Sequence, residues 1–273
     1  MSKVLVTEQY LSDIANAIRS KKKNTDKYRP SAMANAISSI NTGGDDYFRG
    51  LIDKSITVVN ENAVKSVGGY TFYECKELTT VNLPEVTSVG GYAFYGCIGL
   101  TTVNLPKVTS LGTYPFYECY KLKALDLPNL SSGVTLYACY YCRALTTVNI
   151  PKATAIGNYA FSGCKSLETI VLPAVKKINV NAFSSCSILT TVDLHNVTSI
   201  ATSVFSSCSK LGALIIRSFE ICTLENVNSF SGTPIAGGTG FIYVPDNLVD
   251  SYKAATNWST YAAQIKGISA LGE

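Results

Sequence analysis

The 273-residue chain has one histidine, His195, and charged residues make up only 15 % of it. With that single imidazole, set in a turn position that other repeats fill with proline, no Ser–His–acid arrangement can be assembled. No P-loop or Rossmann glycine pattern occurs. Ser207–Lys210 spells S-x-x-K but lacks the companion motifs that would give it meaning. The net charge of +4 is mild and the basic residues are not banked on one segment, which speaks against a nucleic-acid partner. No run approaches the ~20 apolar residues of a membrane span. The apolar stretch near Met1 is too short for the core of a signal peptide, so the chain is expected to stay in the cytoplasm unless an assembly carries it out. Neither catalysis nor a cofactor is expected.

What is abundant is apolar and repeated. Hydrophobic residues make up 47 % of the chain, enough for a large core and against disorder. Cys75, Cys97, Cys119, Cys142, Cys164, Cys186 and Cys208 stand 22, 22, 23, 22, 22 and 22 residues apart. A fixed period of that length marks a solenoid whose units pack only on their neighbours.

Aligned on the cysteine, the third following residue is leucine in every unit, from Leu78 to Leu211. Val81, Val103, Leu125 and their equivalents come three residues later, and Leu83, Leu105 and Leu127 two beyond those. A step of two is strand periodicity, so each unit is expected to give one short parallel strand with this pair pointing inward. Pro84, Pro106, Pro128, Pro151 and Pro173 end the strand. Three residues before the cysteine stands phenylalanine, from Phe72 to Phe205, except for Cys139 in a unit with one inserted residue.

A row of like-pointing cysteines is poor disulfide geometry. Buried thiols acting as small hydrophobes are expected instead, including Cys139 and Cys142 of the formal C-x-x-C. No metal site is expected, because a second close ligand pair is lacking.

The unit Val89-Gly-Gly-Tyr-Ala-Phe94-Tyr-Gly-Cys97-Ile-Gly-Leu100-Thr-Thr-Val103-Asn-Leu105-Pro106 resembles the BspA-like class of leucine-rich repeats. That resemblance implies an α/β repeat solenoid and, for surface members, adhesion to host proteins or other cells. Leu11–Ile18 followed by Pro30–Ile37 is similar to a segment at the head of phage and prophage tail proteins. It implies a virion protein, docked on other tail proteins through residues 1–44, whose repeats recognise a host-surface protein or carbohydrate. The alternative is a bacterial surface adhesin or interaction module. Homo-oligomers are possible in either case.

The expected organisation is a helical hairpin over 1–44, a solenoid over 45–245 with seven clear repeats at about 65–216, and a cap over 246–273. Phe241–Pro245 reads as a last strand, and a helix through Leu248, Val249, Tyr252, Ala255 and Tyr261 as the cover of the open end.

Decoration, rather than the repeat itself, points to function. Tyr70, Tyr92, Tyr114, Tyr137 and Tyr159 occupy the fifth position before the cysteine, and Tyr73, Tyr95, Tyr117 and Tyr140 the second. Asn181 and Ser203, and Ser162, Ser184 and Ser206, replace them later, so two partly exposed tyrosine ladders are confined to the first half. Tyr120 and Tyr141 thicken the patch. Tyrosine offers rigid area with a polar tip at low entropic cost, which suits recognition. Simple stacking between repeats is the other reading. The Thr80/Asn82 and Thr102/Asn104 rows form a flatter polar face that is either inert or able to bond a glycan.

Overall fold

The computed structural model describes residues 54–272. The hairpin expected over 1–44 lies outside the described residues. From Ile56 onward the chain coils as a parallel solenoid of ten turns. One strand row runs Val58–Asn60, Thr80–Asn82, Thr102–Asn104, Ala124–Asp126, Thr147–Asn149, Thr169–Leu172, Thr191–Leu194, Ala213–Ile216, Phe241–Val244 and Ile265–Gly267. Neighbours pair one period apart, as Val59 with Val81 and Val81 with Val103. The central residue of each strand points inward, so Val59, Val81, Leu125 and Val192 are fully buried.

Most units hold a second strand that the one-strand expectation lacked, and the unit of Val134 contributes a single bridge, to Ile156. Ser66–Val67, Ser88–Val89 and Ser110–Leu111 form one parallel ladder, and Ala155–Ile156 through Thr223–Leu224 another. These strands are two residues long and bury one side chain each, too little to show a period. The third side of the coil is built of tight turns. The repeats contain no helix, so the α/β label is corrected: among the described residues the only α-helix is Val249–Ala254.

The core is a set of stacked columns. Phe72, Phe94 and Phe116 stack with ring centroids 5.1 and 5.3 Å apart, and Phe161, Phe183 and Phe205 continue at 5.4 and 5.7 Å. Cys139, fully buried, fills the gap between the two stacks. Each buried Leu, Val or Phe contributes about 1.5–3 kcal/mol, so the core is ample without cross-links.

All nine cysteines are free and buried, as expected for the seven repeat cysteines and Cys139. They also bond. The thiol of Cys97 donates to the carbonyl of Phe72 at 3.0 Å, Cys119 to Phe94 at 3.2 Å and Cys208 to Phe183 at 3.0 Å. The same Phe72 carbonyl accepts the backbone N–H of Cys75 at 3.1 Å. The thiol therefore ties one turn to the next through an oxygen's second lone pair.

The C-terminal end differs from the expected single helix. Val249–Ala254 is followed by the 3-10 segment Trp258–Gln264, and then by Ile265–Gly267, which pairs with Phe241–Val244 and so displaces it as last strand. Tyr252 and Trp258 are buried, and the Trp258 indole donates to the Cys222 carbonyl at 2.6 Å. The Tyr252 hydroxyl accepts the Cys222 N–H at 2.8 Å. Cys222, to which no role attached in the sequence, is where the end piece is fastened.

Candidate recognition surface

Eleven tyrosines share the turn side of the solenoid. Each ladder position is fixed by backbone pairing of successive turns: Tyr70 N–H to Gly91 carbonyl at 3.0 Å, Tyr92 to Thr113 at 2.8 Å, Tyr114 to Leu136 at 3.0 Å. The first column stacks Tyr70, Tyr92, Tyr114, Tyr137 and Tyr159 with centroids 4.8, 4.6, 4.9 and 4.7 Å apart. The second stacks Tyr73, Tyr95, Tyr117 and Tyr140 at 5.0, 4.5 and 5.0 Å. Rings of the two columns tilt against one another, as Tyr92 on Tyr95 at 5.7 Å and 39°. Tyr141 leans on Tyr140 at 4.3 Å, and its ring lies across Gly163 of the next turn. Tyr120 sits beside Arg143, whose guanidinium lies 4.8 Å from the Tyr120 ring and 5.3 Å from that of Tyr141.

The surface is partly exposed, as expected of it. Tyr70 at the open end is 61 % exposed and the others are half-buried by their neighbours. Beyond Tyr140 the second column becomes a hydroxyl ladder in which Ser162 and Ser184 lie 2.8 Å apart, and Ser162 is buried rather than exposed. Arg143 was not legible as part of the patch. Its one signal is that it follows Cys142 as Tyr120 follows Cys119.

The backbone holds the decisive detail. Every first-column tyrosine has a left-handed backbone, with φ 61° at Tyr70, 58° at Tyr92, 57° at Tyr114, 52° at Tyr137 and 56° at Tyr159. Asn181 and Ser203 take the same conformation at 55° and 57°. A left-handed residue other than glycine or asparagine costs roughly 1–2 kcal/mol. A stacked aromatic pair returns about 0.5–1.5 kcal/mol. The two effects are of equal size, so stacking alone does not account for tyrosine where asparagine serves in the turn after Tyr159.

Electrostatically the face is neutral with an acidic fringe. Burial, followed by the carboxylate of Glu118, pushes the Tyr117 phenol up to about 12. Burial likewise raises Tyr95, with Glu118 and Glu74 adding to it. Among the described residues, the hydroxyls of Tyr95 and Tyr117 have no hydrogen-bond partner. They are protonated donors at neutral pH, presented on rings that are already held.

The polar strand face differs. Asn82 donates to Asn60 at 2.6 Å and Asn104 to Asn82 at 2.6 Å, so these amides are engaged with each other. Thr79 and Thr101 give their hydroxyls to the carbonyls of Thr57 and Thr79. His195 lies 3.5 Å from Asp193, whose carboxylate is held by the Arg217 guanidinium at 3.0 Å. No cluster of three or more potential metal ligands occurs among the described residues.

The profile of the BspA type leucine rich repeat region matches in six copies over residues 42–155 and 134–247. Solved structures of leucine-rich repeat proteins are similar to the chain. A leucine rich cell surface protein from Faecalibacterium prausnitzii is 20 % identical, with 78 % of this chain and 79 % of that one covered and a TM-score of 0.38. A leucine-rich repeat protein from Bacteroides ovatus is 22 % identical over 69 % of this chain and 63 % of that one, with a TM-score of 0.41. The leucine rich repeat protein of T. pallidum is 28 % identical over 62 % of this chain and 70 % of that one, with a TM-score of 0.45. No curated protein matches the chain.

Proposed function

The chain belongs to the BspA-type leucine-rich repeat family, and from that premise we propose that it is a non-enzymatic recognition module of the cell-surface kind, binding a protein partner through its tyrosine face. The observation that carries this reading is the left-handed backbone at Tyr70, Tyr92, Tyr114, Tyr137 and Tyr159. Tyrosine stands there in five successive turns at a conformational cost that asparagine, in the same register at Asn181, meets more cheaply. Residues retained against stability are those that serve function.

Rigid stacked rings suit a protein surface. Their side chains lose little entropy on binding, and the hydroxyls of Tyr95 and Tyr117 remain as donors. Arg143, laid over Tyr120 and Tyr141, adds the residue type most enriched with tyrosine at interface hot spots. The engaged Asn60–Asn82–Asn104 row offers a glycan fewer free amides, which favours a protein over a carbohydrate.

The virion reading rests on the similarity within Leu11–Ile37, which lies outside the described residues, and the family match begins only at residue 42. The surface-module reading needs no such segment. Its test is saturable binding of the labelled full chain to intact epithelial cells, before and after trypsin treatment of the cells. Loss of binding on trypsin treatment is expected. Binding that survives trypsin but not glycosidases would replace the protein partner with a glycan.

A further inference from the structure

The strand row is interrupted twice: between Thr102–Asn104 and Ala124–Asp126, where the Lys123 N–H still reaches the Thr101 carbonyl at 3.3 Å, and between Thr147–Asn149 and Thr169–Leu172, where no such bond remains. Thr147–Asn149 pairs back to Ala124–Asp126, and Thr169–Leu172 pairs forward to Thr191–Leu194, but no hydrogen bond joins these two neighbours. The opening is confined to this side. The turns of the same two units are bonded through Cys139 N–H to the Ala160 carbonyl at 2.7 Å and Tyr141 N–H to that of Ser162 at 2.8 Å. Past the strands, Lys176 N–H rejoins the Thr154 carbonyl at 2.9 Å. Between them lies a cleft of ≈ 320 Å³ lined by Val148, Ile150, Ile170, Val171 and flanking threonines and prolines.

Strand alternation decides which groups face the cleft. The Asn149 carbonyl accepts from Leu127 at 2.9 Å, so Thr147 and Asn149 are turned to the preceding strand. The Glu168 carbonyl accepts from Thr190 at 2.8 Å, so 168, 170 and 172 are turned to the following one. The N–H groups of Val148, Ile150, Thr169 and Val171 therefore line the two lips, together with carbonyls of Thr146, Val148, Thr169 and Val171. Facing strand edges with open donors and acceptors are a template for a further strand. Val171, 54 % exposed on one lip, extends the apolar floor.

We infer that this cleft takes an extended segment of another protein as an inserted parallel strand, with alternating small polar and apolar residues. The chain shows what fits: Thr79–Pro84 and Thr101–Pro106 share the sequence Thr-Thr-Val-Asn-Leu-Pro and pair with each other in register. A second copy is a poor donor, because its own copies of that strand are already paired inside its solenoid. This site is on a different side from the tyrosines and stands apart from the function proposed for them.

The experiment is amide hydrogen exchange, resolved by residue, on the full chain with and without millimolar synthetic Thr-Thr-Val-Asn-Leu-Pro carrying a solubilising tail. The amides of Val148, Ile150, Thr169 and Val171 should exchange rapidly in the free chain, unlike those of Val81 and Leu125, which face paired strands, and slow about tenfold or more with peptide. A peptide N-methylated at its valine and leucine should give no protection. Slow exchange of the four amides in the free chain would overturn the inference. So would fast exchange that saturating peptide leaves unchanged, or equal protection by the N-methylated peptide.

Discussion

A Cβ added to Gly163 would collide with Cδ1 of Tyr141, because the tyrosine ring lies across that glycine in the next turn. Gly163 also has a left-handed backbone, φ +75°. The pairing of a bare backbone with a ring joins the repeat to its decoration: Tyr141 is seated on the tyrosine face because the following turn leaves it room.

Gly163→Ala should therefore cost about 1–3 kcal/mol, from backbone strain and a displaced ring. Urea unfolding of the variant measures it. Gly163→Ala combined with Tyr141→Ser should recover a good part of the loss, since the ring is one of the two penalties. Full additivity of the two single changes would mean the contact is not felt.

The buried thiols make a second set of predictions. None of the nine cysteines should react with a bulky disulfide reagent in the native protein, and all nine should do so after unfolding in guanidinium. Cys119→Ala should lower stability by about 1–2 kcal/mol, through the lost contact volume and the lost bond to the Phe94 carbonyl.

Burial pushes the Cys75 thiol from 9.0 up to about 11 and Cys222 up to about 12. The folded state thus favours the protonated thiol. The sign follows from linkage: the folded pKa is raised, so this stability is fully present below the unfolded pKa and is lost as pH rises through the folded one. Melting temperature should be level below about pH 8.5 and fall from about pH 9 toward pH 11, with the cysteines of the central turns adding to the slope. A melting temperature that holds to pH 11 would contradict it.

The legible parts of this fold were those with a period. Leu78 to Leu211 and the Val81/Leu83 pairs announce a strand because two buried positions fall two residues apart. Val89 announces nothing, since its strand buries one residue and leaves no alternation to read. The tyrosine columns were visible as columns, but their left-handed backbone was not, because only Asn181 and Ser203 in the same register hint at it. The break between Asn149 and Thr169 had no signal at all: Thr-Val-Asn reads the same in a paired strand as in an open one. The cap was misread as one helix because Leu248, Val249, Tyr252 and Ala255 are at helical spacing, whereas Asn257, with φ 65°, turns the chain before Tyr261.

The tyrosine face admits a substitution scheme drawn from the chain itself. Tyr92→Asn and Tyr114→Asn copy Asn181, while Tyr95→Ser and Tyr117→Ser copy Ser184. If tyrosine is kept for binding, this fourfold variant should melt within a few degrees of the parent, because relief of the left-handed strain offsets the lost stacking. A large drop, by more than about 10 °C, would show that the columns hold the solenoid together.

The most direct measurement sets the same variant against the parent in saturable binding to intact epithelial cells, with melting temperature recorded on the same samples. Binding weakened at least tenfold at an unchanged melting temperature is the predicted result. Equal binding by the two folded proteins would contradict the account and leave the tyrosine columns as packing.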